Sequence, residues 1–142
     1  MTSPSPIVNA FPPDAPRTAR PRRVLVVEDQ IDAVRTLSAL IAEMGHDVSY
    51  AINGYAALEI ARRFRPHVAL VDVALPAGMN GHELCARLRQ EPKLGPLRLI
   101  ALTAYGSEEH RARSLAAGCE LHLVKPVSAA TLFAVLEDPA GP

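Results

Sequence analysis

The sequence predicts an α/β fold in which five strand–helix units surround a parallel sheet, and three observations carry that prediction. Short apolar runs alternate with amphipathic stretches from Arg23 onward, as βα units do. Two of the runs, Val24 to Val27 and Val68 to Val73, are nearly unbroken by polar residues, as expected of strands covered on both faces. No repeat of solenoid period and no long linker interrupts the series.

The elements follow in order. After the first strand, Ile31, Val34, Leu37, Ile41 and Met44 recur at helical spacing, and Gly45 stands where a helix C′ residue belongs. Val48 to Ile52 is a weaker strand; Asn53-Gly54 and a helix bearing Ala57, Leu58, Ala61 and Phe64 come next, stopped by Pro66. The third strand breaks at Leu75-Pro76. A loop leads from there into a helix with Leu84, Cys85 and Leu88, closed by Pro92. Leu97 to Leu102 is the fourth strand, and the weakly apolar helix near Ser107 to Ala117 ends at Gly118. Leu121 to Val124 is the fifth strand. Pro126 ends it, Ser128 is positioned as an N-cap, and Leu132, Phe133, Val135 and Leu136 give the last helix its buried face.

Bulk properties narrow the function. The 142 residues are 49% hydrophobic, enough for one core and too few for two, with fifteen Lys and Arg against fifteen Asp and Glu. A balanced charge excludes a global field that would draw the chain to nucleic acid or an anionic membrane. No apolar run nears the ~20 residues of a membrane span, and Met1 to Ala10 lacks the features of a secretory signal. Cys85 and Cys119 form no metal-type spacing and suit a reducing compartment as buried, inert thiols. A cytoplasmic location is expected. Residues 1 to 21, with six of the thirteen prolines, read as a disordered tail, residues 22 to 138 as the folded domain, and 139 to 142 as a short C-terminal tail. The five histidines read as surface or strand-flanking residues, and the arginines at 62, 63, 65, 87 and 89 as solvated helix faces.

In a parallel sheet all carboxyl ends lie on one edge, where ligands bind. Here those ends carry Glu28 and Asp29, then Asp72, Thr103 and Lys125. Three acids drawn together repel one another and are tolerated most easily around a divalent cation, and oxygen ligands favour Mg²⁺. A carboxylate can attack phosphorus and form an aspartyl phosphate, which makes Asp72 the candidate nucleophile. Phosphoryl transfer asks chiefly for positioning and positive charge, which the Lys125 ammonium would supply, and the Thr103 hydroxyl could donate to a phosphoryl oxygen. Taken singly these residues have plainer readings: Asp29 as an N-cap of the first helix, Lys125-Pro126 as a turn. The coincidence of all five on the correct strand ends favours a site.

Around these residues the chain resembles the receiver domain of bacterial two-component response regulators. The matching stretches are Val24 to Asp29, Leu70 to Val73 with Pro76 and Gly81, Ala101 to Ala104, and Val124 to Pro126, spanning roughly residues 23 to 138. The resemblance implies a flavodoxin-like, doubly wound sheet in order 2-1-3-4-5 with helices on both faces. It also implies Mg²⁺ held by Asp29, Asp72, water-assisted Glu28 and the backbone oxygen of Ala74, and a cis Lys125-Pro126 peptide. Asp72 would be phosphorylated by a sensor histidine kinase or phosphotransfer protein, switching a downstream protein partner; no separate substrate is implied, so the chain is a phosphoacceptor and not an enzyme. Contacts, a homodimer among them, would run through the fourth helix, fifth strand and fifth helix. The chain reads as a stand-alone receiver or as one piece of a hybrid kinase.

Three departures from the family pattern stand out. The loop Pro76 to Gly81 is one residue longer than is common. His122 stands where many members carry Tyr or Phe, which argues against an aromatic switch. Bulky Tyr105 is expected to shield the phosphoryl group and slow its loss. Two rival readings fit less well: a phosphohydrolase would place its nucleophile after the first strand in an Asp-x-Asp pattern, and a pseudo-receiver would lack site residues that are all present.

Overall fold

A computed structural model describes residues 17 to 138, apart from Ala77, Tyr105 and Ser107. The elements are β1 (Arg23–Val27), α1 (Ile31–Glu43), β2 (Asp47–Ala51), α2 (Gly54–Phe64), β3 (Val68–Asp72), α3 (Gly81–Gln90), β4 (Arg98–Thr103), α4 (Glu108–Ala116), β5 (Leu121–Val124) and α5 (Ala129–Glu137). The five strands form one parallel sheet ordered β2-β1-β3-β4-β5. Chain order reverses between β1 and β3, which opens a crevice at the carboxyl edge.

Strand periodicity divides the core in two. Leu25, Val27, Ala69, Val71, Leu99 and Ala101 point to one face and pack under α2 and α3 through Ala57, Leu58, Leu84, Cys85 and Leu88. The alternate residues Val24, Val26, Val68, Leu70, Ile100 and Leu102 meet Val34, Ile41, Met44, Leu132 and Leu136 of α1 and α5. Shifting any central strand by one residue would swap these two sets, so register is strongly specified.

Helix ends match their sequence signals with one exception. Asn53, Asn80 and Ser128 cap α2, α3 and α5 by accepting a backbone N–H three residues on. Gly45, with φ of 102°, turns the chain after α1. At the start of α1 the N-cap is Gln30 and no side chain caps it, so the capping role expected as one reading of Asp29 is not seen. Residues 17 to 21, assigned from composition to the tail, run beside the end of α1, where Thr18 N–H donates to Met44 O at 2.7 Å. The remainder of that tail, residues 1 to 16, and residues 139 to 142 lie outside the described residues.

Candidate functional site

β1 ends at Val27, and the next two residues leave the sheet at its carboxyl edge. Glu28 turns inward and is buried, while Asp29 is half-buried. Gln30 N–H donates to Glu28 Oε2 at 3.0 Å, fixing that carboxylate beside the start of α1. Asp72 is the last residue of β3 and is 4% exposed. The chain turns at once: Ala74 N–H folds back onto Asp72 Oδ1 at 2.8 Å, so one carboxylate oxygen is held by the acid's own loop.

Oxygens of Glu28, Asp29 and Asp72 lie within 4.8 Å of one another. One cation stands among them. Lys125, the first residue past β5, places Nζ 2.7 Å from Glu28 Oε1 and 2.8 Å from Asp72 Oδ2. Burial pulls the lysine's pKa down, but its hydrogen bonds to Asp72 and Glu28 and their charges outweigh it and hold the pKa above its ordinary value. Three carboxylates against one ammonium leave a net negative pocket. The donor set is all oxygen, which fits a hard divalent cation such as Mg²⁺.

Thr103 ends β4, fully buried, and its carbonyl accepts Lys125 N–H at 2.7 Å, so the hydroxyl-bearing strand end and the lysine are tied through the backbone. The peptide that follows, Lys125-Pro126, is cis, as the resemblance implies. Glu28, Asp29 and Asp72 are thus brought together with Lys125. Ala74 adjoins Asp72 through its amide, and Thr103 occupies the neighbouring strand end.

Several supporting roles escaped sequence reasoning, which had Gly81 only as a residue matching the family. A Cβ on Gly81 would fall 2.3 Å from Asp72 O and 2.4 Å from Val73 Cα, so α3 can begin against the acid's own backbone only because residue 81 is glycine. Inside the loop Pro76 to Gly81, Met79 is buried, packed so tightly on Gly54 that a Cβ there would meet its sulfur at 2.8 Å. The expectation that the histidines are surface or strand-flanking fails for His122, which is 4% exposed within β5. Its Nδ1 is 2.7 Å from Ser114 Oγ, and that hydroxyl is 3.0 Å from His82 Nε2, so a polar chain joins β5, α4 and α3. Burial lowers the His82 pKa, and the charges of Arg113, His122 and His110 lower it further. The signal available was spacing: Ser114 and His122 face each other across the turn at Gly118. Tyr105, expected to shield a phosphoryl group, lies outside the described residues.

Comparison with known proteins agrees with this geometry. The family profile of the response regulator receiver domain matches residues 24–137. The polar-differentiation response regulator DivK of Brucella anthropi is 30% identical over 121 residues, covering 85% of this chain and 98% of DivK. Of other, longer relatives the chain spans only 24% to 49%. Among solved structures, the Vibrio cholerae chemotaxis protein CheY4 is similar with a TM-score of 0.78 and 30% identity, over 83% of this chain and 98% of that one. The receiver domain of the sensor histidine kinase PA1611 from Pseudomonas aeruginosa, solved with magnesium coordinated in its active-site cleft, is similar with a TM-score of 0.74 and 28% identity. That match covers 83% of this chain and 96% of the other.

Proposed function

The chain belongs to the response regulator receiver family, and from that premise we propose that Asp72 is its phosphoacceptor, loaded by a phosphohistidine of a sensor kinase or phosphotransfer protein. The single observation that carries the assignment is the Lys125 ammonium bridging Asp72 and Glu28, with Asp29 within metal-sharing distance.

In this reading an Asp72 carboxylate oxygen attacks phosphorus, the phosphorus–nitrogen bond to the donor imidazole breaks, and the electron pair stays on that nitrogen. Ala74 N–H holds the other carboxylate oxygen and aims the attacking one. Lys125 is already within hydrogen-bonding reach of the reacting acid, so its ammonium can pass from the carboxylate to a phosphoryl oxygen with little movement. Thr103 would donate its hydroxyl to another such oxygen. Glu28, Asp29, Asp72 and the carbonyl oxygen of Ala74 would hold Mg²⁺, which when bound supplies positive charge against the phosphoryl oxygens.

The chain would act as its own phosphoacceptor with no separate substrate. No described helix is long and apolar enough to cross a membrane, and a cytoplasmic site of action suits a phosphohistidine donor. Output would pass to a downstream protein, or to a second copy, through α4, β5 and α5, where Leu115 and Val124 are exposed.

The test is incubation with acetyl phosphate and Mg²⁺ followed by intact mass measurement. A phosphate adduct is expected on the parent and none on Asp72→Asn. Equal adducts on both proteins would move the acceptor elsewhere.

A further inference from the structure

Away from the acidic pocket, two thiols meet in the core. Cys85 lies in α3 and Cys119 just before β5; both are free, 0% and 3% exposed respectively. Their sulfurs are 3.4 Å apart and share an S–H···S hydrogen bond across 34 residues of sequence. That separation is van der Waals contact, and a disulfide would close it to ~2 Å.

The surroundings make the two sulfurs unequal. Arg89, on the next turn of α3 after Cys85, donates Nη2 to Gly118 O at 2.8 Å and Nη1 to Leu97 O at 2.7 Å. A guanidinium is thereby pinned beside the residue preceding Cys119. The hydrogen bond with Cys85 lowers the Cys119 thiol pKa, burial opposes this, and Arg89 lowers it again. The same hydrogen bond, burial and the charge of Cys119 push Cys85 up against the lowering charge of Arg89. With the guanidinium anchored on the Gly118 carbonyl next to it, Cys119 is assigned the attacking thiolate and Cys85 the resolving thiol.

We propose that Cys85 and Cys119 are a redox-modification site that closes a reversible disulfide between α3 and the start of β5 when the protein meets a peroxide. The Cys119 thiolate attacks one peroxide oxygen, the O–O bond breaks, and hydroxide leaves to be protonated to water; Cys119 is now a sulfenic acid. The Cys85 sulfur attacks the Cys119 sulfur, the S–O bond breaks, and the Cys85 proton departs with that oxygen as a second water. Two thiols are oxidised, one peroxide is reduced, and a dithiol reverses the change. The bridge would clamp two elements whose far ends serve the acidic pocket, since α3 starts against Asp72 and β5 leads into Lys125. The chemistry is independent of phosphorylation.

The reduced full chain is titrated with hydrogen peroxide, denatured in a thiol-blocking maleimide, and weighed intact. The expected oxidised product is a monomer about 2 Da lighter that takes up no maleimide, with both labels restored by dithiothreitol. Oxidised Cys85→Ser is expected to gain oxygen on Cys119 in place of that mass loss. A parent that keeps both labels, collects oxygen adducts, or links only to second copies overturns the proposal. Because the parent alone gives the deciding mass, a variant that fails to fold does not weaken the test.

Discussion

Each rim of the sheet buries a cation against carboxylate, and the two do it with opposite charge counts. At the amino rim Arg98 is 4% exposed and places Nε and Nη2 on both oxygens of Glu120 at 3.1 and 2.9 Å. Its remaining nitrogen reaches Val135 O at 2.9 Å and Asp138 O at 3.3 Å, closing the end of α5 onto the sheet. One charge meets one charge, and every edge of the guanidinium is used. At the carboxyl rim a single ammonium faces three acids and its side chain keeps 33% exposure. A one-to-one ion pair holds structure together. An open surplus of negative charge costs stability and leaves the rim ready to take up a cation and an electrophile.

The sharpest way to break this contrast is to remove one member of each rim. Arg98→Met would remove the Glu120 ion pair and leave two carbonyls without the guanidinium they share, a loss of about 3 kcal/mol. Asp72→Asn removes one of three repelling charges while keeping an oxygen for Ala74 N–H, and should change stability by less than about 1 kcal/mol. Urea denaturation of the parent and both variants measures the difference. Comparable losses in the two variants would mean that the carboxyl rim is as structural as the amino rim.

Gly81 offers a second, smaller test on the reactive side. Its Cβ would strike backbone atoms of Asp72 and Val73, which cannot swing aside as a side chain would. Gly81→Ala is expected to cost about 2 kcal/mol by overpacking and to reduce phosphoryl uptake by displacing the acid. Gly95, where nothing lies within 4 Å of an added Cβ, is the control: Gly95→Ala should stay within about 0.5 kcal/mol of the parent in the same urea series. If both alanines are equally harmless, the acid does not depend on the close approach of α3.

The two rims were also unequally legible in the sequence. The acidic rim could be read because polar residues stand at the ends of apolar strands, and parallel strands deliver their ends to one edge, whereas sheet order came only through the resemblance to receiver domains. The amino rim could not. Arg98 looks like an ordinary boundary residue, and β4 was expected to begin one residue earlier, at Leu97; its partners Glu120 and Val135 belong to elements that meet only after folding. His122 alternates correctly with Leu121 and Leu123, yet its burial depends on Ser114 supplying a partner from another element. Cys85 and Cys119 were placed inside by their apolar neighbours, but contact between two sulfurs 34 residues apart follows from how α3 meets the segment before β5. Apolar patterning specifies layers, whereas side-chain pairing between layers is decided by tertiary geometry.

The rims should finally differ in their response to mild acid, the smallest of these effects. At the amino rim His46 Nδ1 accepts Arg22 N–H at 3.1 Å and His67 Nδ1 accepts Arg23 N–H at 2.9 Å, bonds that a protonated nitrogen cannot accept. Burial lowers the pKa of His46, with Glu137 opposing and Arg22 reinforcing, and burial with Arg23 and Arg22 lowers that of His67. The unfolded chain therefore protonates first: stability is full above the ordinary value of 6.5 and falls as pH drops from there through the folded pKa values. Lys125 has the opposite sign. Its raised pKa gives stability that is complete below 10.5 and is lost only as pH rises through the folded value, so it adds no slope in mild acid. Urea midpoints at pH 7.5 and 5.5 should accordingly fall more for the parent than for His46→Asn, while Lys125→Met leaves the parent's drop unchanged. A drop in the parent that Lys125→Met removes would place the acid-sensitive contact at the carboxyl rim instead.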